Sequence, residues 1–113
     1  MKKIDDQIFL MHAEVCKAMA SPVRLKILNA LQHGEQSVEA MVKSLKLRKA
    51  NLSQHLAVLR QLRIVATRRD GLRIYYRCAN PKMLKACAIL REVLLEQLAE
   101  SGRLIDQVNR ERK

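Results

Sequence analysis

The sequence predicts a mainly α-helical fold closed by one small β-hairpin, and three observations predict it. Apolar residues recur at intervals of three and four over most of the 113 positions, which is the helical period. Asp70-Gly71 separates two β-prone runs, Ile64 to Arg69 and Leu72 to Cys78, as in a hairpin. Ser21-Pro22, Ser37 and Asn80-Pro81 stand where helices begin, as capping residues or as proline in the first turn. The length suits one domain, and 49% hydrophobic residues suffice for its core.

Each element follows in order. Ile8, Met11, Val15, Ala18 and Met19 mark a first helix over about 5–20, with Asp5 and Asp6 at its positive end. The second starts at Ser21-Pro22, buries Val23, Ile27, Leu28 and Leu31, and stops at His33-Gly34. Ser37 caps a third, with Val38, Met41, Val42 and Leu45 on one face. After a break at 46–48, Leu52, Leu56, Leu59 and Leu62 form the apolar back of a fourth helix. Its front offers Lys49, Asn51, Ser53 and Gln54, with His55 to one flank. Two helices joined by a short turn, the second with a small-polar front, form a helix-turn-helix, here about 37–63. The hairpin over about 64–78 is then a wing, with Leu72, Ile74 and Tyr76 expected on one face and Arg73, Tyr75 and Arg77 on the other. A long last helix over about 81–101 carries Met83, Leu84, Cys87, Leu90, Leu94 and Leu98, and a charged tail occupies 102–113. The predicted order is α1-α2-α3-α4-β1-β2-α5, a winged helix-turn-helix. Apolar stripes on the first and last helices exceed what the unit between them can cover, so a two-fold homodimer through those helices is expected.

Charge narrows the function. Residues 43–77 hold ten lysines and arginines against Asp70 alone, which is +9 of the chain's net +11. A field of that sign on a folded surface collects polyanions. Single-stranded nucleic acid is bound mostly by aromatic stacking, and Phe9, Tyr75 and Tyr76 are too few for that. Duplex DNA is the expected partner, and a dimer would present two helices to a palindromic operator. No apolar run reaches membrane-spanning length and the N-terminus lacks the pattern of a signal peptide, so no membrane partner and a cytoplasmic location are expected. Neither a nucleophile–base pairing nor a glycine-rich phosphate loop is present, and His12, His33 and His55 are isolated. An enzyme is not expected, and no cofactor.

Three stretches carry a family resemblance. AMASPVRLKIL (18–28) matches the pattern ALxSPxRLxIL. RKANLSQHLAVLRQLRIV (48–65) matches SQxxVSxHLxxLRxxGLV. RDGLRIYYR (69–77) matches RxGxxxYYR. The chain resembles the ArsR/SmtB family of bacterial winged-helix repressors, small dimeric regulators that respond to metals and other effectors. Two positions depart from the pattern. Arg48 replaces the usual Ser or Thr cap, at an expected cost of about 1 kcal/mol and with a phosphate contact added. Arg63 replaces the usual glycine and is expected in ordinary helical or turn geometry.

The resemblance and the charge assign DNA contact to Arg48, Lys49, Asn51, Ser53, Gln54, His55, Arg60, Arg68, Arg69 and Arg73. Gln54 suits adenine, Ser53 and His55 suit bases or phosphates, and Arg68, Arg69 and Arg73 suit the minor groove or backbone at the wing. A solvated polar face is the plain alternative, with His55 packed beneath the helix. Arg24 suits a phosphate or the carbonyls of a helix end.

The family's two common metal sites are missing. Ser37 and Glu39 replace the cysteines of one, while Asn80, Lys82, Val93 and Glu96 occupy the positions of the other, so no metal is expected there. Effector chemistry then rests on Cys16, Cys87 and Cys78. Three readings stay open: persulfide or oxidant sensing at Cys16 and Cys87, a thiophilic arsenic or antimony site from all three, and cysteines as small core residues. A further alternative is an effector-independent architectural DNA-binding protein.

Overall fold

The computed structural model describes residues 2–111. Its elements are α1 (Lys2–Met19), α2 (Pro22–Ala30) continued by a 3-10 turn (Leu31–His33), β1 (Gln36–Ser37), α3 (Val38–Leu45), α4 (Lys49–Gln61), β2 (Val65–Asp70), β3 (Arg73–Cys78), α5 (Pro81–Glu100) and α6 (Arg103–Glu111). They fall into two units, residues 1–80 and 81–113.

In the first unit the helices start as their caps require. Ser21 Oγ accepts the Arg24 amide at 3.4 Å ahead of Pro22, and Ser37 Oγ accepts the Ala40 amide at 3.1 Å. The core is Ile27, Leu28 and Leu31 from α2 and its turn, Met41 from α3, Leu52, Leu56 and Leu59 from α4, and Ile64 and Val65 at the start of the hairpin. At roughly 1.5–3 kcal/mol for each fully buried aliphatic side chain, this cluster is the main stabilising term of the unit.

The hairpin belongs to a three-stranded antiparallel sheet of order β1-β3-β2. The added strand is two residues long, pairing Gln36 with Tyr76 and Ser37 with Tyr75. Two residues carry no readable alternation, and Ser37 serves both as strand residue and as helix cap. Pairing of β2 with β3 runs from Val65↔Cys78 to Asp70↔Arg73, so the loop is Gly71-Leu72 and Asp70 is still paired. Gly71 has φ 63°. Glycine at the first loop position with positive φ suits the twist of a tight hairpin. Leu72 was expected on the same face as Ile74 and Tyr76, but it sits at the tip, fully exposed.

Arg63 also departs from expectation. It takes φ 60°, the left-handed region, and not ordinary helical or turn geometry. Its amide donates to Arg60 O at 3.0 Å and the Ile64 amide donates to Leu59 O at 2.9 Å. That pair of bonds is a Schellman closure, whose first residue beyond the cap must be left-handed; glycine fills it without strain. Buried Ile64 and Leu59 lie on the two sides of the closure and hold it shut. Lys46, which ends α3 in the turn before α4, is left-handed too, at φ 55°.

In the second unit α5 runs twenty residues from Pro81, and none of them is buried. Within the charged tail, residues 103–111 form α6 after a turn at Gly102, and 112–113 lie outside the described residues. Among the described residues no helix is long and apolar enough to cross a membrane.

Candidate nucleic-acid interface

Helix α4 separates two functions by its period. Leu52, Leu56 and Leu59 are completely buried and fix its back against α2, α3 and β2. Lys49, Asn51, Ser53 and Gln54 are exposed on the other side, near its positive N-terminal end, where anions are favoured. Arg48, immediately before it, is exposed, and its side chain makes no capping bond. The first-turn amides of α4 therefore lack the usual hydroxyl cap. Arg60 is exposed in the last turn.

On the hairpin, Arg69 and Arg73 project from exposed positions beside the tip. Arg68 is differently placed. It reaches a carboxylate with both ends of its guanidinium, Nε to Glu35 Oε2 at 3.1 Å and Nη2 to Glu35 Oε1. It also lies 4.7 Å from the ring centre of Tyr75, its cross-strand partner, and 3.9 Å from Asp70 Oδ2. Because β3 is central, Arg68 on β2 spans it to hold the segment ahead of β1. The Arg68 bond is the main reason the Glu35 carboxyl is held below its ordinary range, and the same bond pushes the guanidinium up. Of the three wing arginines assigned to DNA contact, Arg68 is therefore committed to the sheet, while Arg69 and Arg73 point their charge outward.

His55 is likewise committed. It is half-buried, and its Nδ1 accepts a hydrogen bond from Arg24 Nε at 3.1 Å. Arg24 Nη1 donates to Ala18 O at 3.0 Å, so of its two sequence readings the helix-end carbonyl is the one the geometry realises. The sequence singled out neither Glu35 as the partner of Arg68 nor Arg24 as the partner of His55. Both pairings join residues more than thirty positions apart and depend on the packing of separate elements.

Cys16 is exposed on α1, and Cys78 and Cys87 are half-buried on β3 and α5. Cys78 Sγ lies 3.3 Å from Asn80 O, close enough to donate to it. Among the described residues no group of three or more His, Cys, Asp or Glu side chains is arranged to hold a metal ion.

These features define a winged helix-turn-helix with an outward basic and polar front. Residues 21–67 match the model of the bacterial regulatory protein, arsR family. The HTH-type transcriptional regulator Rv0081 of Mycobacterium tuberculosis is 34% identical over 104 residues, 91% of each chain. Its crystal structure superposes with a TM-score of 0.77, covering 84% of this chain and 96% of that one. The homodimeric winged helix-turn-helix DNA-binding domain of Mb0332 from Mycobacterium bovis superposes with a TM-score of 0.79 at 32% identity, covering 85% and 89%. The transcriptional repressor PagR of Bacillus anthracis is 43% identical over 72 residues, 63% of this chain and 72% of that one. The chain belongs to the ArsR family and is a DNA-binding transcriptional regulator, not an enzyme.

Proposed function

We propose that the protein is a cytoplasmic homodimeric repressor that binds a palindromic duplex operator and is released by thiol chemistry. The observation that carries DNA reading is the division of α4, whose buried leucine back leaves Lys49, Asn51, Ser53 and Gln54 outward between exposed Arg48 and Arg60. Arg69 and Arg73 extend the surface onto the wing. Gln54 and Asn51 have the donor–acceptor pair that reads adenine, while the arginines and Lys49 hold phosphates and set register. Repression is supported by the similarity to PagR, and the dimer by the similarity to the homodimeric domain of Mb0332.

Release is assigned to Cys16 and Cys87. Cys16 is open to solvent, and it stands on one of the two helices whose apolar faces are free to receive a second copy. With peroxide, two thiols give up two electrons and two protons to form one disulfide, and the peroxide becomes two waters.

The test compares binding to the chain's own promoter duplex and to a scrambled duplex at one salt concentration. The repressor reading expects preference for the promoter by about 1,000-fold or more. Equal affinity would leave an architectural DNA-binding protein. For release, persulfide, peroxide and arsenite are applied to wild type, Cys16→Ser and Cys87→Ser. Responses that survive both substitutions would place the cysteines outside sensing.

A further inference from the structure

We propose that Arg24 and His55 form a positioning pair that sets the reading helix α4 against the end of α1. The proposal rests on α4 being the element that meets DNA. Arg24 binds in three directions. Its backbone amide is held by the α2 cap Ser21, its Nη1 donates to Ala18 O in the last turn of α1, and its Nε donates to His55 Nδ1 in the middle of α4. A guanidinium is a rigid planar fork, so its two side-chain bonds fix one direction relative to the other. Lysine, with a single nitrogen, could not reproduce both.

The pair also dictates a protonation state. Arginine has no acceptor, so His55 Nδ1 must present a lone pair, and the neutral ring carries its proton on Nε2.

The acceptor identifies the role. An imidazole that touches phosphate does so as a donor, whereas His55 holds α4 through a lone pair. Gln54 is the neighbour of His55 in the chain, and hydrogen bonds to bases tolerate only tenths of an ångström, so a released α4 reads poorly.

Operator binding is measured by fluorescence anisotropy at fixed salt and pH. His55→Ala and Arg24→Ala are expected to weaken binding about ten-fold. His55→Asn, whose Oδ1 can accept in place of Nδ1, is expected to recover most of that loss. Wild-type affinity in Arg24→Ala, or no recovery in His55→Asn, would overturn the pair. Amide NMR spectra of the free protein decide the matter without DNA. His55→Ala should move the signals of Ala18, Arg24 and α4 together, and His55→Asn should leave them near their wild-type positions. Static signals in His55→Ala overturn the pair. Moving signals with no operator binding uphold the pair and overturn only the DNA reading.

Discussion

Arg63 shows how one residue can work against its own backbone position. The Schellman closure demands a left-handed residue after Leu62, and a side chain with a Cβ is strained there. Arg63→Gly is expected to raise stability by about 1 kcal/mol, read from urea unfolding, since the closure itself stays intact. If Arg63 holds a phosphate, the same variant weakens operator binding as it gains stability. Glu35 gives the pH-dependent counterpart. Its carboxyl is held below the ordinary value of 4.5, first by its bond to Arg68. A lowered folded-state value means the contribution is complete above pH 4.5 and is lost as pH falls through the lower folded value. Melting curves from pH 7 to 3 should show Glu35→Gln losing less stability in acid than wild type, with no difference in slope above pH 5 or so.

At the scale of the element, the wing divides its arginines between holding and reaching. Arg68 lies over Tyr75 and clamps Glu35 across the central strand, whereas Arg69 and Arg73 flank a fully exposed tip. Arg69→Ala or Arg73→Ala should reduce the slope of log K against log salt by about 0.9 for each phosphate no longer held, and by twice that in a two-fold dimer. Arg68→Ala should instead leave that slope nearly unchanged and speed hydrogen exchange in the amides of β1 and β3. Equal slopes for all three variants would remove the distinction. The reading helix was legible in the sequence, because the leucine period of α4 is unbroken and its polar front is short. Strand β1 was not, because two residues make no period and its only signal is a partner in β3 about forty positions away.

At the scale of the molecule, the apolar surface left open is the main fact. Ile4, Ile8, Phe9, Leu10 and Met11 on α1 are all more than half exposed in the single chain, and α5 shows Ile89, Leu90 and Leu94 in the same state. Such faces suit a second copy of the chain, as does the resemblance to a homodimeric domain. Phe9→Glu, an exposed position in the single chain, should give a folded monomer in sedimentation. Its operator affinity should fall about 100-fold or more, because two half-sites are then no longer bound as one event. A dimer of wild-type affinity would show that α1 is not its interface.

What the sequence determined by itself was periodic or local: helix α4 and its polar front, the caps at Ser21 and Ser37, the hairpin at Gly71, and a basic block confined to 43–77. Each follows from neighbours within a turn or two of chain, where side-chain spacing and backbone preference act directly. Tertiary structure decided which of the basic residues are free to reach outward. Arg68 is taken by Glu35, and Arg24 and His55 take each other, because packing brings together groups more than thirty residues apart. A charge count sees every arginine alike. Only the fold shows which donors are already satisfied, and so which remain for DNA.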